Sequence, residues 1–130
     1  MLKGLDHVAI LVADTEDALV LYRDRLGLPV LFSEVVNNGA LRLTHLDLGN
    51  THLQLVEPLQ RDHPLRDHLR LHGPGLHHIC FAVDNVAEAV AQMLPAGFEA
   101  APPHQGTNGK RAVFLNKETT GSVQMELTGE

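Results

Sequence analysis

At 130 residues the chain has room for one domain or two very small modules sharing a core, and a hydrophobic content of 44% excludes a disordered polymer. A net charge of −6 argues against a nucleic-acid surface, and no apolar run reaches the length of a membrane span. Cys80, the one cysteine, cannot form an internal disulfide, and the first residues carry no signal or transit pattern, so a reducing, cytoplasmic setting is expected.

Residues 5–12 read as a strand. Successive strand side chains point to opposite faces. Val8, Ile10 and Val12 therefore form a greasy face, and His7 and Ala9 the other. Asp14 is a good N-cap, with Glu16 and Asp17 where the helix dipole favours acids. Ala18, Leu19, Tyr22 and Leu26 recur at helical spacing until Gly27 stops the helix. Strands follow over 28–36, 41–48 and 52–56, with a hairpin signal at Asn37-Asn38-Gly39 and a tight turn at Gly49-Asn50. Residues 57–75 read as a connector in which Asp62-His63-Pro64 caps a short helix carrying Leu65 and Leu69.

The order then repeats. Leu76-His77-His78-Ile79-Cys80-Phe81-Ala82-Val83 is a near copy of the first strand, and His78 holds the place of His7. Asn85 with Glu88 three residues later forms a capping box, and Pro95 ends that helix. Gly97, Asn108-Gly109 and Gly121 match Gly27, Asn38-Gly39 and Gly49 at an offset of 70 to 72 residues. The last strand, over 123–128, matches the one after Gly49. The chain is therefore α+β, built as two tandem β-α-β-β-β modules: module one 1–57, a connector 58–75, and module two 76–130, in a single domain over 1–130.

The facing rule also selects the chemistry. In the last strand of module one, Leu53 and Leu55 are the greasy set, so His52, Gln54 and Val56 face away. In module two, Val123, Met125 and Leu127 are greasy, so Gln124, Glu126 and Thr128 face away. If the first and last strands of each module line one cup, His7, Gln54, His78 and Glu126 converge. Two imidazoles, an amide oxygen and a carboxylate suit a divalent ion of middling hardness. Cys80 is expected to be a small buried hydrophobe and His77 a structural donor. His45, His52, His63, His68, His72 and His104 have no matching partner in the repeat and are expected at the surface. Arg61, Arg66, Arg70, Lys110 and Arg111 are candidate phosphate partners, with solvated charge the favoured reading, and no residue is assigned to binding an organic cofactor.

These residues resemble the vicinal oxygen chelate superfamily, which includes glyoxalase I, extradiol dioxygenases and antibiotic-resistance binders. Within it the chain is similar to the methylmalonyl-CoA epimerases. The stretches that carry this are Leu5-Asp6-His7-Val8-Ala9-Ile10, Leu48-Gly49-Asn50-Thr51, the connector Glu57-Pro58-Leu59-Gln60-Arg61-Asp62-His63-Pro64-Leu65, Gly75-Leu76-His77-His78-Ile79-Cys80, and Gly109-Lys110-Arg111-Ala112-Val113-Phe114-Leu115. The resemblance implies a cup-shaped, eight-stranded mixed sheet and a homodimer. It implies one divalent metal ion per chain, Co²⁺ or Mn²⁺ with Ni²⁺ or Zn²⁺ as alternatives, held by His7, Gln54, His78 and Glu126. It implies an acyl-CoA thioester substrate inverted at C2 through an enolate, with Glu126 as general base. The alternatives are a glyoxalase I-like lactoylglutathione lyase and, behind it, a dioxygenase or a small-molecule binding protein of the same superfamily. One departure stands out. Two-base family members place a second glutamate three residues after a glycine on the third strand, and counting from Gly39 that position is Arg42, which stays protonated and makes a poor base.

Overall fold

The computed structural model describes residues 1–130. Its elements are β1 (Gly4–Leu11), α1 (Thr15–Leu19), β2 (Val30–Val36), β3 (Leu41–Asp47), β4 (His52–Pro58), α2 (Pro64–His72), β5 (Gly75–Ala82), α3 (Val86–Met93), β6 (His104–Gln105), β7 (Arg111–Phe114) and β8 (Met125–Gly129). This is the expected α+β chain of two β-α-β-β-β modules. The strands form a mixed eight-stranded sheet in the order β2-β3-β4-β1-β5-β8-β7-β6. No helix is long and apolar enough to cross a membrane. The chain divides into two compact units, Met1–His7 with His78–Glu130, and Val8–His77. The N-terminal half of β1, with His7, thus belongs with the second module.

In the unit Val8–His77, α1 starts where the sequence predicts. The Asp14 carboxylate accepts from the Asp17 backbone N–H. A second acceptor comes from β4: Glu57 Oε1 takes the Thr15 N–H at 2.9 Å and the Thr15 hydroxyl at 2.6 Å. Beyond Leu19 the helix widens into a π-helical stretch, Val20–Arg25, in which Leu26 N–H donates to the Leu21 carbonyl. Gly27, at φ +78°, ends it. β2, β3 and β4 form an antiparallel meander, and both asparagines of the first hairpin are left-handed as a tight turn demands. The greasy face is as predicted: Val8, Ile10, Val12, Leu53 and Leu55 pack with Ala18, Leu19 and Tyr22 of the α1 segment. The opposite face is not left open along its whole length. Ala9, Leu11, Leu43 and Val56 pack there against Leu65 and Leu69, because the connector helix α2, capped by His63 and started at Pro64, lays its apolar stripe on them.

In the unit made of Met1–His7 and His78–Glu130, β5 pairs in parallel with β8, and β8, β7 and β6 pair antiparallel. Asn85 caps α3 by accepting from the Glu88 N–H, as the capping box requires. Phe81, Val83, Met125 and Leu127 pack beneath Val86, Ala89 and Met93. Full burial of a side chain such as Val86 or Leu127 contributes roughly 1.5–3 kcal/mol relative to exposure. The final strand differs from expectation in its limits. It begins at Met125, and Val123 lies outside it and exposed. The Thr120 hydroxyl donates to the Val123 carbonyl at 2.6 Å, tying residue 123 into the turn rather than the ladder. At the far end, a side chain on Gly129 would run into the Val83 carbonyl, so the strand needs glycine there.

Candidate metal and proton-transfer site

Three of the four predicted ligands meet in the unit made of Met1–His7 and His78–Glu130. His7 from β1, His78 from β5 and Glu126 from β8 are all buried. Nε2 of His7 lies 3.3 Å from Glu126 Oε1, and Nε2 of His78 lies 3.2 Å from the same oxygen. The two imidazoles stand edge to face with centroids 5.6 Å apart. The strand ladder produces this placement: Glu126 sits opposite Cys80 in the β5–β8 register, two residues from His78 and so on the same face.

The donor set fits a divalent cation. One nitrogen of each imidazole and one carboxylate oxygen lie within 4.8 Å of one another. The His7 ring is also oriented for the task. Its Nδ1 donates to Asp6 Oδ2 at 2.7 Å, which leaves Nε2 as the nitrogen facing the cluster. A carboxylate behind a histidine in this way fixes the tautomer and raises ligand basicity. Asp6, His7 and Cys80 form a second grouping of potential ligands, in which His7 Nδ1 already donates to Asp6. Burial first, then the carboxylates of Glu126 and Asp6, push the Cys80 thiol far above its usual range.

Gln54 belongs to the unit Val8–His77. It is buried on β4 opposite His45 of β3. Its Nε2 lies 3.0 Å from His45 Nε2, and His45 Nδ1 lies 3.0 Å from His52 Nδ1. An amide nitrogen can only donate, so His45 Nε2 accepts, and His45 Nδ1–H donates onward to His52. This turns the carbonyl oxygen of Gln54, the atom a cation would use, to the other side of the amide. Phe32 stacks on His45 at 4.6 Å.

Two histidines expected at the surface therefore have other places. His45 is buried beside Gln54, and His104 donates from Nε2 to Glu126 Oε2 at 2.9 Å. Adjacent strand residues alternate faces, so the sequence gives Asp6 no place beside His7, yet its carboxylate reaches the side of that ring. Arg42 has a plain structural role. Its guanidinium pairs with Glu16 of α1 at 2.9 Å, and its Nε donates to Ser33 at 2.9 Å. It sits opposite Glu57 in the β3–β4 register, on the α1 face and away from the face of Gln54.

Burial alone would raise the Glu126 carboxyl, but the imidazoles of His104, His7 and His78 overrule it and hold the group well below its ordinary 4.5. Burial lowers His7, and the carboxylates of Asp6 and Glu126 outweigh it, so His7 is raised above 6.5. The linkage has a definite sign. Stability from Glu126 is present above its unfolded value of 4.5 and is lost as pH falls below it, while that from His7 is present below 6.5 and fades as pH rises through the raised value. In metal-free protein, the stability gap between wild type and Glu126→Gln is expected to close as pH falls below 4.5. Urea unfolding at several pH values measures it, and a gap that stays constant down to pH ~3 contradicts the assignment.

A sequence profile of the Glyoxalase/Bleomycin resistance protein/Dioxygenase superfamily matches residues 6–114. The mitochondrial methylmalonyl-CoA epimerase of Homo sapiens is 34% identical over 129 residues, covering 97% of this chain and 73% of that protein. The ethylmalonyl-CoA/methylmalonyl-CoA epimerase of Cereibacter sphaeroides is 30% identical over 131 residues, covering 98% of each. Among solved structures, a variant of Streptomyces coelicolor methylmalonyl-CoA epimerase in complex with 2-nitronate-propionyl-CoA superposes with a TM-score of 0.89 at 30% identity, covering 100% of this chain and 96% of that one.

Proposed function

The chain belongs to the glyoxalase/bleomycin resistance protein/dioxygenase superfamily, and from that premise we infer that it is an isomerase, an epimerase that inverts C2 of methylmalonyl-CoA. The observation that carries this is full-length similarity to epimerases of that substrate, joined to a buried His7, His78 and Glu126 cluster. We read residues 1–130 as one domain of that superfamily.

His7, His78 and Glu126, with Gln54 as the fourth ligand, would hold one divalent ion, Co²⁺ or Mn²⁺ before Ni²⁺ or Zn²⁺, since two nitrogens and two oxygens make a donor set of middling hardness. When bound, the ion supplies Lewis-acid stabilisation of the negative charge that develops on the thioester oxygen. The rest of the chemistry falls to the protein. The C2 proton is acidified by the thioester carbonyl beside it, and the positive charge a bound ion would place at that carbonyl oxygen brings it within reach of a carboxylate base. Glu126 is buried and is the one carboxylate in the cluster, and it takes that proton as general base. Returning a proton to the other face is what inverts the centre. Arg42 does not do this, because it is committed to Glu16 and Ser33 on the α1 face.

We also place the protein in the cytoplasm, where a single buried thiol stays reduced, and expect a homodimer, which would cover sheet edges that small modules leave open. A monomer mass by light scattering at micromolar concentration would reject the dimer. The function is tested by supplying one epimer of methylmalonyl-CoA to metal-loaded protein and following the appearance of the other. Conversion to an equal mixture is the expected result. Inertness towards it, with turnover of the hemithioacetal of glutathione and methylglyoxal, would replace the epimerase reading by that of a lactoylglutathione lyase.

A further inference from the structure

The two oxygens of Glu126 meet different partners. Oε1 faces Nε2 of His7 and of His78, at 3.3 and 3.2 Å. Oε2 accepts from Nε2 of His104 at 2.9 Å. A carboxylate's last torsion is broad and roughly two-fold, so nothing within Glu126 itself fixes which way its oxygens turn.

The His104 ring is itself held. It stacks on Phe114 with centroids 5.1 Å apart and an interplanar angle of 17°, and the edge-to-face partner of Phe114, also at 5.1 Å, is His78. Phe114 lies opposite Glu126 in the β7–β8 ladder, and His104 lies opposite Ala112 in the β6–β7 ladder. Three strands thus set one nitrogen against one oxygen. β6 is only two residues long, and its first residue carries this contact.

We propose that His104 is a positioning residue for Glu126: its Nε2–H fixes the rotation of the carboxylate, so that Oε1 serves the two-histidine cluster and Oε2 is kept out of it as the proton-accepting oxygen. This rests on the reading of Glu126 as both ligand and base. A carboxylate oxygen offers about two lone-pair sites. With one on Oε2 taken by His104, the other remains for the C2 proton. A carboxylate free to turn could place both oxygens on the cation and leave neither for the substrate.

The test compares His104→Phe, which keeps a stacking ring but has no N–H, with His104→Gln, whose amide nitrogen can stand near the position of Nε2. The first readout needs no metal and no substrate. In a crystal structure of metal-free His104→Phe the Glu126 carboxylate is expected to be turned or split between orientations, and in His104→Gln to keep its orientation. The second is kinetic. His104→Phe is expected to lower kcat for C2 exchange roughly 10-fold or more at nearly unchanged KM and metal content, with His104→Gln recovering most of it. An unturned Glu126 in His104→Phe would overturn the proposal. So would equal losses of kcat in both variants accompanied by equal falls in Tm, which is what a packing role produces. Wild-type protein that takes up no metal or exchanges no C2 proton would count against the proposed function instead, and the metal-free structure would still decide the role of His104.

Discussion

Glu126→Gln is expected to lower proton exchange at C2 on the order of 10²-fold or more, the scale of losing a general base, while the protein keeps appreciable metal. The amide has nearly the size of the carboxylate and retains an oxygen donor. It has no basicity, so it separates holding a cation from taking a proton. The substitution is not silent for the cluster. Glu126 accepts from His104 and lies 3.2–3.3 Å from the ring nitrogens of His7 and His78, and an amide matches these neighbours less well than an anion. Exchange is therefore compared at saturating metal, with metal content measured on the same samples. Undiminished exchange from both epimers, with metal bound, would leave Glu126 a ligand only. Exchange retained for one epimer alone would point to a second base acting on the opposite face.

His78→Ala is expected to remove most metal binding, and His7→Ala combined with His78→Ala to abolish it. These imidazoles are two of the three cluster donors in the unit formed by Met1–His7 and His78–Glu130. Asp6→Asn makes a graded control. It leaves every proposed ligand in place but weakens the hydrogen bond that orients His7, and a loss of roughly 10–100-fold in metal affinity is expected from a change one step behind a ligand. The ranking is the prediction: the Asp6 variant weaker than wild type, the His78 variant weaker than both. Circular dichroism establishes that each variant is folded. Elemental analysis after loading with Co²⁺ or Mn²⁺ then gives metal per chain. Full retention in the double histidine variant would place the ion elsewhere.

Period-two facing and an internal repeat were enough to find His7, His78 and Glu126, because each sits in a regular strand with a greasy complement that packs on a helix. The same rule placed Gln54 on the face of β4 opposite to Leu53 and Leu55. It gave nothing for His104, since a two-residue strand has no period to read. It gave nothing for Asp6, whose contact is lateral within one strand. His45 shares the Gln54 face through the β3–β4 register, but it lies on an inner strand of its module and has no counterpart histidine in the repeat to mark it. Arg42 shows the limit of counting from a landmark. Three residues after Gly39 is a definite position in the chain, yet the β3–β4 register turns it toward α1. The π-helical widening after Leu19 and the packing of α2 over Ala9 and Leu11 are tertiary outcomes with no local signature of their own.

This chain is expected to remove and return the C2 proton of methylmalonyl-CoA. The most direct measurement is incubation of metal-loaded protein with methylmalonyl-CoA in D₂O, following deuterium at C2 by mass spectrometry. Incorporation of one deuterium at C2 is expected, faster than inversion or keeping pace with it, dependent on added divalent metal and lost with Glu126→Gln. A C2 position that stays protonated while metal-loaded wild-type protein is present would rule out this activity.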